Sequence, residues 1–162
     1  MAYEEIHSFA WIAMIQNNKE PLIVILTTHL YIEYAMNHLI EYNCRNSSKI
    51  LNDNNRWTFS MKLELCFQMD LIEEYLFYNI SKLNKIRNAY SHNLKVNFRD
   101  MDLEFIDPKK RVNLPSWKND GIMQPVPTNH DIIDAVIWIG ALTFEPLYNK
   151  IVGKEQLNIN PG

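Results

Sequence analysis

Arg87, Asn88 and His92 are the side chains of this chain whose types and spacing best suit chemistry. An arginine keeps its charge at every physiological pH, and a histidine titrates near neutrality. Placed together they can bind a phosphate ester and move a proton beside it. Their surroundings fit that use. From Tyr75 to Arg99 the chain carries five cationic side chains (Lys82, Lys85, Arg87, Lys95 and Arg99) and no Asp or Glu. Residues 1–74 hold ten acids against five bases, and residues 100–162 nine against six. The formal net charge of −3 therefore conceals one basic segment in an acidic protein. Lys82, Lys85 and Lys95 are the candidate substrate-binding cations of that segment.

Helix geometry constrains how these residues could cooperate. Five positions on a regular α-helix separate Arg87 and His92 by roughly 140°, whereas Asn88 and His92, at i and i+4, share a face. Arg87 and His92 can meet on one phosphate if the helix loosens near Ser91, or if a second protomer supplies one of them. Asn93 is a suitable helix-ending residue. Each side chain also has a plainer use. Arg87 and Asn88 can bond neighbouring helix ends, His92 can complement a helix C-terminal dipole, and the three lysines can be solvated.

The elements that must position these residues are helical. Ile6 to Ile15 has helical spacing, and Pro21 suits the first turn of a helix running to about Tyr42, apolar on most of its circumference. Asn52-Asp53-Asn54-Asn55 is a loop signal. From Phe59 to Leu71 apolar and polar residues alternate strictly, which by period alone predicts a strand. The run lacks any β-branched residue and is rich in Met, Leu, Lys, Glu and Gln, so helix is the better reading. A further helix spans Ile72 to His92, with Tyr75, Leu76, Ile80, Leu83 and Ile86 on one side. Leu103 to Leu114 reads as a small hairpin around Asp107-Pro108-Lys109-Lys110, within an irregular insertion over 93–128. A last helix opens at Thr128 or Asn129, and Pro146 is expected to kink or end it near Phe144. The expected fold is an all-α antiparallel bundle of four to five helices in a single domain over 1–162, with the hairpin-like insertion before the last helix.

Composition removes several function classes. The 162 residues suffice for one well-buried core, and a pI near 5.9 is unlike a general duplex-DNA coating protein. Cys44 and Cys66 form no CxxC and no His/Cys cluster, so neither a zinc site nor a disulfide framework is indicated, and no metal or cofactor is expected. A reduced, cytoplasmic location fits the cysteines. The N-terminus lacks a basic n-region, and the apolar run from Leu22 meets polar residues before reaching membrane-spanning length. His29, Glu33 and Asn37 form a polar stripe read as solvent-facing, and the tryptophans read as core or loop anchors. No P-loop, G-x-S-x-G, HExxH or Rossmann fingerprint occurs.

The stretch from Trp57 to Asp100 resembles the mannitol operon repressor (MltR) family. The residues that carry the resemblance are Thr58, Phe59, Ser60, Lys62, Leu71, Ile72, Ile86, Arg87, Asn88 and His92. They match a Thr-Phe-Ser, a basic residue, a Leu-Ile, and an Ile-Arg-Asn-x-x-x-His signature. The last is a form of the Arg-x(4–6)-His motif of the wider HEPN superfamily. About a quarter of the chain is covered. The resemblance implies a helical bundle that pairs as a homodimer, with two motifs facing one cleft. For many HEPN members it implies a metal-independent endoribonuclease of toxin or defence type, with RNA as substrate and an antitoxin or regulatory protein as partner. For the MltR branch it implies a non-catalytic regulatory module. A tyrosine two positions after the histidine marks another HEPN subgroup. Leu94 stands there, so that subgroup's regulation is not carried over.

Overall fold

A computed structural model describes Ala13, Ile15, Asn18, residues 20–92, 105–109 and 129–159, without the side chains of 129–132 and 154–159. The described residues form five α-helices and no strand: α1 Pro21–Asn43, α2 Ser47–Leu51, α3 Phe59–Gln68, α4 Glu74–His92 and α5 Asn129–Ile159. The all-α bundle expected from the periodicity is what forms. Ala13 and Ile15 are helical as well. The short α2 is an addition to the sequence reading.

α1 is the central element and packs against each of the other four helices. That placement explains why it is apolar nearly all round. Val24, Ile25, Ile32, Met36, Leu39 and Ile40 are all within 2% of complete burial. Pro21 occupies its first turn, where the missing N–H costs nothing. Its last carbonyls are met by the Cys44 amide, which donates to Ile40 O at 2.8 Å, and by Asn43 Nδ2, which donates to Leu39 O at 2.7 Å.

The alternating run is helix, and its two ends explain its length. Thr58 is the N-cap of α3, its hydroxyl accepting from the Met61 amide at 3.4 Å. At the other end Asp70 takes a left-handed conformation, φ 53°. Its amide donates to Phe67 O, and the Leu71 amide reaches back to Cys66 O at 2.9 Å. This pair of bonds is the Schellman closure, which satisfies orphan carbonyls and turns the chain sharply. Leu63 and Cys66 face the core, and Phe59 and Phe67 pack at its margin. The chain restarts as α4 at Glu74, whose inner side is Leu76, Asn79, Ile80, Leu83 and Ile86.

Of the two outcomes expected at Pro146, a kink or an end, the helix does not end: α5 runs through the proline to Ile159. An internal proline costs about 3 kcal/mol through a lost hydrogen bond and a clash with the preceding turn. On both sides of it, however, Phe144, Leu147 and Ile151 are buried. At roughly 1.5–3 kcal/mol for each such side chain, their burial outweighs the local penalty.

Of the 93–128 insertion only residues 105–109 are described, and the hairpin expected there otherwise lies outside the described residues. Within this piece Pro108 and Lys109 form a turn, with the Lys109 amide donating to Asp107 Oδ1 at 2.9 Å. The piece is tied to α4 through a fully buried side chain. Asn79 Nδ2 donates to Ile106 O, and the Ile106 amide donates to Asn79 Oδ1, both at 2.8 Å. Phe105 is buried beside this clamp.

Candidate functional site

The motif occupies the last turns of α4, which stays helical to His92. The Ser91 hydroxyl donates to Arg87 O at 2.9 Å, a back-bond within the helix, and no loosening occurs at Ser91. Asn88 shortens the angular gap between Arg87 and His92. Arg87 Nη1 donates to Asn88 Oδ1 at 2.8 Å, so the half-buried guanidinium is held by a residue that shares its face with His92. His92 is exposed in the last turn. Lys85 is exposed too, and three and seven positions separate it from Asn88 and His92, on the same side.

Among the described residues no carboxylate pairs with Arg87, and its Nε is buried without a hydrogen-bond partner. A buried unsatisfied donor costs about 1–3 kcal/mol, more when charged, so this guanidinium is held in a state that an oxyanion would relieve.

Behind Arg87 three helices contribute a polar relay. His29 of α1 is 2% exposed. Its Nε2 lies 3.1 Å from Asn84 Oδ1 of α4, and Asn84 Nδ2 donates to Ser60 Oγ of α3 at 3.1 Å. An amide oxygen only accepts, so Nε2 carries the proton. The imidazole also stacks on Phe59, ring centroids 3.9 Å apart. Burial pushes the His29 pKa below the ordinary histidine value. The Asn84 bond opposes this, the Arg87 charge adds to it, and Glu33 opposes it. Beside the relay, Lys62 of α3, only 2% exposed, donates to Glu33 Oε1 of α1 at 3.2 Å.

The polar stripe of α1 therefore faces inward, contrary to the solvent-facing reading. His29 and Glu33 are both engaged, and Asn37 Oδ1 is buried without a partner. The helix is surrounded by neighbours, so its polar residues meet α3 and α4. Lys82 also departs from a solvated lysine. It is 6% exposed, with Nζ 4.8 Å from the centre of the Tyr78 ring. Lys95, Arg99, Trp11 and Trp117 lie outside the described residues. Trp57 is half-buried, and Trp138 is 47% exposed rather than a core anchor.

No protein-family model, no curated protein and no solved structure matches the chain. Function must therefore be argued from this chain's own residues.

Other reactive groups are poorly placed for catalysis. Burial pushes the Cys66 thiol up to about 12 and raises that of Cys44, whose Sγ contacts Met69 Sδ at 3.6 Å. Both thiols stay protonated near neutrality and are weak nucleophiles. Among the described residues no three His, Cys, Asp or Glu side chains converge as metal ligands. No described helix is long and apolar enough to cross a membrane.

Sequence reasoning singled out Arg87, Asn88 and His92 as candidates and did not single out Asn84 and Lys62 as their neighbours. The available signal was the helical register. Asn84 stands one turn before Asn88, and Lys62 falls one position before Leu63 on the buried side of α3.

Proposed function

We propose that the chain is a metal-independent endoribonuclease of HEPN type, in the toxin or defence class. His92 acts as general base on a ribose 2′-OH, which attacks the adjacent phosphate; the P–O5′ bond breaks, leaving a 2′,3′-cyclic phosphate on one fragment and a 5′-oxygen on the other that takes up a proton to become a hydroxyl. Arg87 stabilises the charge growing on the phosphate oxygens. Asn88 holds the guanidinium on the His92 side, and Lys85 adds exposed positive charge on that side. Lys82 adds positive charge from a buried position, and Lys95 belongs to the same basic segment. The observation that carries this reading is the half-buried guanidinium of Arg87, tied to Asn88 and without a carboxylate among the described residues. The remaining divergence between Arg87 and His92 is met in a homodimer joined along α4, where each chain's arginine serves its partner's histidine.

A second reading has its own observation. Thr58 caps α3, Phe59 stacks on His29, and Ser60 accepts from Asn84. These are the Thr-Phe-Ser residues of the MltR resemblance: the first closes the start of α3, and the other two join α3 to α1 and α4. They suit a regulatory module without turnover, one that binds a protein partner.

One comparison separates the two. Wild type and His92→Ala are incubated with structured and single-stranded RNA in chelator, and the products are examined for cyclic-phosphate ends. The nuclease reading expects such ends from wild type alone. If wild type cleaves nothing and His92→Ala alters only dimer stability, the module is the function.

A further inference from the structure

His29 is buried and titratable, and the proposed reaction makes no use of it. It sits one helical turn behind the candidate phosphate clamp, fixed to Asn84, which precedes Arg87 by three residues on α4. The charges that act on it can be named. From α4 there is Arg87, which disfavours the imidazolium. From its own helix there is Glu33, which favours it but is held by Lys62 of α3 at 3.2 Å. Ser60 and Phe59 complete the α3 side as neutral groups, and among the described residues no side chain of α5 is among those that act on the ring. Among the described residues the positive charge that acts on His29 is Arg87, which has no carboxylate partner there and is the group positioned to receive an anion.

We propose that oxyanion binding at Arg87 is proton-coupled, so that an anion on Arg87 favours the imidazolium of His29 and the imidazolium tightens the anion. The reasoning is electrostatic. An anion on the guanidinium cancels the nearest repulsion felt by the ring, and in a poorly solvated site that change is transmitted with little screening. Linkage makes the effect reciprocal: whatever the anion does for the proton, the proton does for the anion. The geometry places the two groups close: His29 is bonded to Asn84, which lies at i, i+3 to Arg87 on the same side of α4. Asn84 Oδ1 accepts from Nε2 in both charge states, and the bond strengthens when the ring is charged, so protonation need not break the packing. The inference rests on the reading that Arg87 receives the phosphate of RNA, and it adds that the site takes up as much as one proton with its ligand.

Sulfate is the probe, because it remains a dianion across the range in which histidine titrates. The His29 ring resonances, assigned by comparison with His29→Gln, are followed with pH in sulfate and in chloride at equal ionic strength. The expected result is an upward displacement of the His29 titration midpoint in sulfate. Sulfate affinity should also rise about fivefold from about pH 7 to about pH 5, the low end for coupling between neighbouring sites. Arg87→Gln, which keeps a donor for Asn88 and removes the charge, should show a higher midpoint in chloride and no response to sulfate. Should that variant fail to fold, the wild-type difference between the two salts, read with the arginine Nε–H resonances, decides the matter.

Sulfate that binds at Arg87 and leaves the His29 midpoint unmoved overturns the coupling. So does an equal displacement in Arg87→Gln, or an absence of sulfate binding throughout the range. The cleavage assay reads the nuclease proposal separately. Cyclic-phosphate ends with an unmoved His29 would sink only the coupling, and a moved His29 without cleavage would sink only the nuclease.

Discussion

Lys62 Nζ lies 3.2 Å from Glu33 Oε1, with the lysine side chain 2% exposed and the glutamate 29% exposed. The pair joins α3 to α1 directly beside the His29 relay, and its two members are unequally placed. Glu33 can turn toward water if it loses its partner, whereas Lys62 cannot. Breaking a buried pair from one side leaves an uncompensated charge whose cost exceeds the worth of the pair itself.

Glu33→Gln should therefore destabilise the fold by about 3 kcal/mol, the low end for a buried pair given the partial exposure of the acid. Lys62→Met should cost clearly less, and the double variant should recover most of the loss. Denaturant unfolding of the three variants checks the order. Equal losses for the two single variants would show that the pair is solvated from both sides.

Asn79 holds both backbone groups of Ile106 at 2.8 Å from a fully buried position. Asn79→Ala leaves that amide and carbonyl without their side-chain partner, and because Ile106 is itself exposed and water can reach it, the loss should be about 1 kcal/mol in all, the low end for such bonds. Asn79→Asp should be no better, since its carboxylate cannot donate to Ile106 O. The specific readout is hydrogen exchange at the Ile106 amide, which should lose protection in both variants while the amides of α1 keep theirs.

Asp70 holds φ 53° at the end of α3, a conformation that costs a side-chain-bearing residue energy. Asp70→Gly should raise stability by about 0.5–1 kcal/mol, since glycine reaches this region freely and the two Schellman bonds remain. An unchanged or lowered midpoint in urea would mean that the unfolded chain gains as much freedom as the turn gains ease.

His29 ties stability to pH. In the unfolded chain its imidazole takes a proton at the ordinary 6.5, and in the folded protein only at lower pH, because burial and then Arg87 disfavour the charge. Between those two values the unfolded state binds more protons, so stability falls as pH drops through that window and levels off below the folded value. His29→Gln removes this contribution. The difference in unfolding free energy between wild type and variant should shrink as pH falls below about 6.5, and a constant difference would show that His29 does not titrate with folding.

How much of this was readable in the residues follows from what each pattern reports. The stripe of Leu76, Ile80, Leu83 and Ile86 reports burial directly, and α4 formed as its spacing required. The end of α3 was not readable, because strict alternation continues through Leu71 while the helix stops at a left-handed Asp70, a conformation that nothing local demands. That α5 continues past Pro146 was unreadable for a related reason. Its local cost is visible in the sequence, and the burial of Phe144, Leu147 and Ile151 that offsets it depends on where α5 packs. His29 and Glu33 were visible as an i, i+4 pair, but whether such a stripe meets water or another helix is decided by elements far away in the chain. The site itself was half legible. Arg87, Asn88 and His92 declare themselves by type and spacing, whereas Asn84 and Ser60 matter only because three helices bring them to His29.

The chemistry makes the most exposed prediction. General acid–base catalysis supplies about 10²–10⁴-fold, so His92→Ala should lower cleavage by at least that factor while leaving the fold intact, since His92 is an exposed last-turn residue. Arg87→Ala should lower it as well, for a different reason, by removing the charge opposite the developing phosphate. Asn88→Ala should have an intermediate effect, because it frees Arg87 Nη1 without deleting the guanidinium. If the active form is a dimer in which each arginine serves its partner's histidine, mixing Arg87→Ala with His92→Ala should restore part of the activity through mixed dimers, each carrying one intact pair. A single-chain site would give no restoration. Rising salt should weaken cleavage as it screens the basic segment from Lys82 to Arg99. Cleavage that survives His92→Ala at the wild-type rate would remove the histidine from the mechanism and leave Arg87 as a binding residue only.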